Sequence, residues 1–420
     1  MTALRGSLVL GLLLAVALVG CRDPDRGGDE PTASVTPAAT STAPSASTAV
    51  ATSTPAPTAT PLAEPRPAEA GTNQRALDHD GRERNYQLHI PPAYDGTTLQ
   101  PVVLVFHGGG GTANNAINQT HFDKVADANG FIAVFPNGSG LLRRVLLTWN
   151  AGNCCGYAVE NEVDDVGFVC ALISELTSTL AIDPRRVYAT GLSNGAIMSY
   201  LLACEAADLI AAIGPVAGAQ NSPNCSPASQ VSLIAIHGDA DGAVPYEAGT
   251  PETQPDRRNR VDNSVAASTG FFVTLDGCDA QPTRSQSGSI GHDTWGGCAD
   301  GRGVELYTVG GGGHAWPGGE PGFAGSDTPM TEIDASELIW AFLAAHPKPL
   351  RARATSPAEA PPKGHTLTSL PPVQGAPYDP ATSLPLNRAA AVKGSPRQCL
   401  HRPPSSRATT CRWRTPRSAS

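Results

Sequence analysis

The stretch Gly191-Leu192-Ser193-Asn194-Gly195 leaves the backbone little choice. Before it stands a β-rich apolar run, "RRVYAT", and after it "AIMSYLLAC", in which Ile197, Leu201 and Cys204 fall on one helical face. A strand that becomes a helix across so few residues needs a sharp turn, and side chains flanking that turn would collide with the neighbouring chain. Glycine on both sides of the serine meets that demand. In a chain with 44 glycines the bare pattern is weak evidence; the strand before and the helix after give it weight. A serine that only closes a turn is the competing reading.

The same alternation recurs through the middle of the chain. "PVVLVF", "GFIAVFP", "VSLIAI" and "GVELYTV" are apolar runs that each end in glycine or a polar turn. Strands apolar on both faces suit the interior of a mostly parallel sheet. In "DDVGFVCALISELTSTL", Val169, Leu172, Ile173, Leu176 and Leu180 recur at helical spacing behind an aspartate cap. Asp334 and Glu337 form a capping box for a last helix, with Ile333 and Leu338 as its staple, and that helix should end near His346. The expected fold class is α/β: a doubly wound, mostly parallel sheet over residues 71–346, with chemistry at the carboxyl ends of the strands.

Outside that span the composition changes. Residues 1–20 read as an export signal, with Arg5 ahead of an apolar run too short to span a membrane comfortably. Leu18-Val19-Gly20-Cys21 resembles a bacterial lipoprotein processing site, which implies lipid on Cys21 and a cell-envelope or extracellular location. Residues 21–70 are Ser, Thr, Pro and Ala with almost no large apolar side chain, and read as a tether. The tail, residues 347–420, holds 12 Lys and Arg against 2 Asp and Glu, a charge of +10; since the whole chain carries −9, the remainder carries −19. So acidic a domain argues against nucleic acid as a partner. The membrane is expected as a partner only through the lipid.

A serine at such a turn is the nucleophile position of an α/β-hydrolase elbow, and its partners there follow in the order serine, acid, histidine. Ser193 needs a base to take its proton and an acid to orient that base. Asp239 and Asp241 both lie in the loop after "VSLIAIHG", and spacing does not choose between them. Of the later histidines ahead of the tail, His346 closes a helix and His292 lies in a polar segment. That leaves His314, in "GGGGHAWPGG" after a strand. Glycines 310–313 would let its loop pass close to its neighbours. Oxyanion donors are expected at the backbone amides of Asn194 and of "HGGGG", where Gly109 is favoured over Gly108 or Gly110. His107 reads as a structural hydrogen-bonder. Trp149 and Trp316 are candidates for the wall of an acyl pocket, with core packing as the alternative.

Ten cysteines in an exported chain point to disulfides. Cys278 with Cys298 and Cys204 with Cys225 are the expected pairs; Cys154, Cys155 and Cys170 leave an odd one. No spacing supports a metal site, and no cofactor is called for.

Taken together, "NYQLHIPPAYDG", "HGGGG", "TWNAGNCCGYAVENEVDDVGF", "IDPRRVYATGLSNGAIMSYLLACEAADLIAAIGPVAG", "IHGDADGAVPY", "GGGGHAWPGG" and "DASELIWAFLAAHP" resemble the secreted esterase family of poly(3-hydroxybutyrate) depolymerases and feruloyl esterases, grouped with family 1 carbohydrate esterases. The resemblance spans Asn85 to His346 and leaves the basic tail unexplained. It implies an α/β-hydrolase fold, Ser193 as nucleophile, His314 as base and, through a pattern similar to "HGxxDxxVPY", Asp241 as the acid. It also implies hydrolysis of polymer-linked or small esters. An aromatic pocket wall would suit a feruloyl group, and an exposed apolar rim a polyester. A serine peptidase or acyltransferase on the same fold, or a non-catalytic surface adhesin, are the alternatives.

Overall fold

The structure, a computed structural model, describes residues 69–252, 260–322 and 325–349. The export signal, Cys21, nearly all of the tether and nearly all of the tail lie outside the described residues.

Ten strands form one sheet in the order β1-β2-β4-β3-β5-β6-β7-β10-β9-β8. It opens with a hairpin of β1 (Gly71–His79) and β2 (Arg82–Ile90), closed by Asp80 and Gly81 at φ 52° and 69°. Positive φ at both loop positions is what a two-residue hairpin turn requires. Next come β3 (Gln100–Phe106), helices α1 (Ala113–Thr120) and α2 (Phe122–Asn129), and β4 (Ile132–Pro136). A short α3 (Gly156–Glu160) precedes α4 (Asp165–Thr179), β5 (Ile182–Leu192), α5 (Asn194–Glu205), β6 (Ala212–Val216) and β7 (Ser232–Gly238). Then follow α6 (Val265–Leu275), the hairpin of β8 (Thr283–Ser287) and β9 (Ile290–Trp295), β10 (Val304–Val309) and α7 (Ala335–Ala345). Strands β4, β3, β5, β6, β7 and β10 run parallel, and the pairs at both edges are antiparallel. This is the doubly wound sheet of an α/β-hydrolase.

The pleat of β3 sorts its side chains into two layers. Val102, Leu104 and Phe106 pack with residues of α4 and α5, while Val103 and Val105 pack with residues of α1, α2 and α7. All five are essentially buried, and each such side chain contributes about 1.5–3 kcal/mol relative to exposure. The helix starts are set locally. Asp164 caps α4 by accepting from the Gly167 amide at 2.9 Å, and Asp334 caps α7 by accepting from Ser336 and Glu337. Ile333 and Leu338 both pack against the α7 layer.

Register then decides what meets at the carboxyl ends. Phe106 pairs with Gly191, so the loop after β3 lies beside the turn after β5. Gly238 pairs with Val309, so the loop after β7 lies beside the one after β10.

Candidate active site

Ser193 occupies φ 58° and ψ −121°, outside the regions open to ordinary L-residues, and such a conformation costs on the order of 1–3 kcal/mol. Its surroundings hold it there. The Ser193 amide donates to Val216 O at 3.0 Å, and α5 begins at the next residue. A Cβ on Gly191 would lie 2.6 Å from Phe106 O, and one on Gly195 would lie 2.3 Å from the same oxygen. Neither glycine has a substitute, because the obstacle is backbone. Gly191, Leu192, Asn194 and Gly195 are buried, whereas Ser193 is half-buried. Among the described residues its hydroxyl has no hydrogen-bond partner.

The loops after β7 and β10 assemble the second part. His314 Nδ1–H donates to Asp241 Oδ2 at 2.8 Å. Asp241 Oδ1 accepts from the amides of Ala243 and Val244, both at 2.8 Å. Burial alone would raise the Asp241 carboxyl, but the hydrogen bonds from His237 and His314 outweigh it and hold the group well below the usual carboxylate range. Asp239 does different work: its Oδ1 accepts from the Gly311 amide at 2.6 Å and so ties down the glycine loop. Gly311 itself sits at φ 68°, where glycine is at ease. The choice that spacing leaves open is thus made by geometry, with one aspartate on the imidazole and the other on the loop that carries it.

Two partners are absent from the sequence reading. His237, at the end of β7, donates Nε2–H to Val244 O at 2.9 Å and lies 3.3 Å from Asp241 Oδ2. Asp327 Oδ2 accepts from the His314 amide at 2.6 Å. The first has a signal in "IHGDAD", since a histidine four residues before the acid lies at the mouth of the same loop; the second has none.

The loop after β3 faces the elbow, and a Cβ on Gly109 would touch Asn194 Cβ at 3.6 Å. Asn194 opens α5, so its amide has no acceptor within the helix. Among the described residues the amides of Gly108 and Gly109 have no acceptor either. The Gly110 amide donates to Leu147 O at 2.7 Å, which removes it as an oxyanion donor. His107 is buried and its pKa falls to about 4 because burial disfavours the imidazolium. The neutral ring accepts from the Gly138 amide at Nε2 and donates from Nδ1 to Gly108 O, which fixes the tautomer and braces the glycine loop.

The two tryptophans stand elsewhere than expected. Trp149 is fully buried: its Nε1–H donates to His107 O at 3.0 Å, and its backbone N–H and C=O are both bonded by the Asn194 side chain. It is a strut between the glycine loop and the elbow, with no face for a substrate. Trp316 is equally buried, edge-on to Phe122, with Nε1–H on Ser336 Oγ. A large apolar ring two residues from the base is drawn into the α7 layer, where its burial gains more than exposure at a pocket would. The acyl-wall expectation for both residues is therefore corrected.

Cys204 is bridged to Cys225 and Cys278 to Cys298. Cys154, Cys155 and Cys170 are each disulfide-bonded, Cys154 within the core and Cys155 and Cys170 packed against it. Among the described residues no cluster of three or more His, Cys, Asp or Glu could hold a metal ion.

Comparison with known proteins places this chain among esterases. Residues 84–244 match the family described as Esterase PHB depolymerase. The chain is 33% identical over 273 residues to "Putative esterase NocK" of Nocardia uniformis subsp. tsuyamanensis, covering 61% of this chain and 77% of that protein. Feruloyl esterase B of Piromyces equi is 29% identical over 248 residues, 57% of this chain and 44% of that protein. Among solved structures, the acetyl xylan esterase from Aspergillus awamori aligns with 65% of this chain and 99% of its own at a TM-score of 0.45 and 14% identity.

Proposed function

This chain belongs to the esterase family of the PHB depolymerase and feruloyl esterase type, a family of carboxylic-ester hydrolases, and from that premise we propose that it cleaves esters through Ser193, His314 and Asp241. The observation that carries the reading is the His314–Asp241 hydrogen bond at 2.8 Å on the same strand ends as a strained, half-buried Ser193.

In the proposed reaction, Ser193 Oγ attacks the ester carbonyl carbon while His314 Nε2 takes its proton. Asp241 receives the Nδ1–H and stabilises the imidazolium as it forms. The oxyanion is held by the amides of Asn194 and Gly109, with Gly108 the alternative donor. Collapse returns the proton from His314 to the departing alcohol and leaves an acyl-serine. Water, deprotonated by the same imidazole, releases the acid. The hydrogen bond from Ser193 Oγ to His314 Nε2 that this step needs forms, in this reading, as substrate arrives, since catalytic hydrogen bonds are commonly completed only in the substrate complex.

The acyl preference follows from what borders the site. Neither Trp149 nor Trp316 is offered to a feruloyl ring, whereas Leu141, Leu142, Val145 and Leu146 are exposed beside the glycine loop, held there by the Gly110–Leu147 hydrogen bond. An aliphatic rim of this kind favours an aliphatic polyester over an aromatic ester. The export signal, Cys21 and the disulfides support an extracytoplasmic, lipid-tethered enzyme.

Ser193→Ala should lower turnover of 4-nitrophenyl butyrate by about 10⁶ while the melting temperature stays near that of the parent. Retained turnover rejects the triad. Against a panel of methyl ferulate, acetylated xylan and polyhydroxybutyrate film, the film should be the substrate cleared.

A further inference from the structure

Beyond the catalytic residues, the same end of the sheet holds an open cleft of about 440 Å³. It is lined by residues 81–85 around the start of β2, by Gly138, Ser139, Gly140, Leu141, Arg143 and Arg144, and by Tyr157 of α3. Because β2 is antiparallel to β4, with Tyr86 opposite Pro136, residues 82–85 project past the carboxyl end of β4. The cleft therefore opens on the catalytic face. From β5 to β2 there are three strand spacings, roughly 14 Å at 4.7–4.9 Å each. The loop between cleft and nucleophile is pinned to the glycine loop, by Gly138 N–H on His107 Nε2 and Gly110 N–H on Leu147 O.

Two properties of this cleft are unusual for the molecule. Four arginines line it, in a chain whose first 346 residues carry −19. Arg84 is already spent: it is buried, bonded to Asp165 Oδ1 at 2.6 Å and stacked on Phe168. Arg82, Arg143 and Arg144 are exposed, and among the described residues none of them forms an ion pair; the single carboxylate on the lining is Glu83. The second property belongs to the loop that borders it. Among the described residues there are six exposed large hydrophobic side chains, and four of them (Leu141, Leu142, Val145 and Leu146, 48–81% exposed) stand on this loop, with Leu141 on the cleft lining itself. Unpaired guanidinium groups favour a carboxylate, which they bind in two-pronged fashion. The exposed aliphatic side chains of the loop between cleft and nucleophile favour a hydrocarbon backbone along that path.

We propose that this cleft receives the free carboxylate end of a short aliphatic oligoester, so that the enzyme cuts such chains at a set distance from their acid terminus. The proposal rests on the esterase reading above. A 3-hydroxybutyrate repeat has four chain atoms where an amino-acid residue has three, so an extended repeat reaches roughly 4.5 Å and about three repeats span the distance to Ser193.

The test uses the 3-hydroxybutyrate tetramer as the free acid and as its methyl ester, with the full chain as enzyme. Methyl capping should raise KM about tenfold, the size of one charge-assisted contact, with the gap narrowing at 0.5 M salt. In Arg143→Gln/Arg144→Gln, checked for folding by its melting temperature, the ratio of the two KM values should fall to about one. A second pair, Arg82→Gln/Arg143→Gln, should do the same. Equal KM for both tetramers in the parent enzyme overturns the cleft assignment and leaves the esterase reading standing. Failure to cut either tetramer, with 4-nitrophenyl butyrate still hydrolysed, overturns the oligoester occupant. Inhibition by glucuronic-acid-bearing xylan that is lost in the arginine variants, without a difference between the tetramers, assigns the cleft to an acidic polysaccharide and likewise overturns it.

Discussion

Ser193 holds a backbone conformation that its own chemistry does not favour, and the residues that impose it are the two glycines and Phe106 O. That much is legible in the sequence, because only glycine fits where two backbones nearly touch, and a serine held between two glycines after a strand marks such a place. The tryptophans are not legible. Trp149 and Trp316 differ from pocket residues by burial alone, and burial is decided by helices and loops far away in sequence. Experiment can separate the two roles. Trp149→Phe keeps an aromatic ring but loses the hydrogen bond to His107 O, so kcat should fall about three- to tenfold with KM nearly unchanged, in line with one hydrogen bond of ordinary strength. A rise in KM at constant kcat would return Trp149 to the acyl pocket. His237 and Asp327 are hard to find for a related reason: each supports His314 or its acid through one contact that only register brings about.

Elements differ in how openly the sequence declares them. The strands β3, β4, β5, β7 and β10 are apolar runs because helices or loops cover both faces, and they read as strands. Strand β6 is harder, since Pro215 removes an amide from a central strand, where proline is rarely tolerated. The first hairpin carries its signal in Asp80-Gly81. β8, "TRSQS", is exposed along its whole length and shows no alternation at all. What holds the β8–β9 hairpin is covalent. The Cys278–Cys298 bridge closes it across 20 residues, just ahead of the strand that delivers His314. Cys278→Ser/Cys298→Ser should therefore lose about 3 kcal/mol in urea unfolding by the loop-entropy relation, while kcat for 4-nitrophenyl butyrate changes less than the stability does. Unaltered unfolding would mean that strand pairing alone secures the hairpin.

Across the whole molecule, two buried titratable groups set opposite responses to pH. Asp276 is fully buried, and burial pushes its carboxyl up to about 7 against the pull of Arg302 and of the Val231 backbone amide. A raised carboxyl pKa favours the folded state below the unfolded value near 3.8, and that contribution, about 4 kcal/mol, is lost as pH rises to 7. His107, lowered from 6.5 to about 4, works the other way: its contribution, about 3 kcal/mol, is present above 6.5 and is lost as pH falls to 4. The two partly cancel between pH 4 and 6.5. Asp276→Asn should match the parent near pH 4 and exceed it increasingly up to pH 7–8, by up to about 4 kcal/mol in unfolding measurements. Parallel profiles would show that Asp276 does not titrate in this range. The claim on which all of this depends is that Ser193 is the nucleophile served by His314 and Asp241. It is tested most directly by treating the full chain with a fluorophosphonate and mapping the adduct by mass spectrometry. One adduct should form, on the peptide holding Ser193, be absent from Ser193→Ala, and form about 10⁴-fold more slowly in Asp241→Asn, where the imidazole loses its orienting carboxylate. An adduct on any other residue, or none while ester hydrolysis continues, would contradict it.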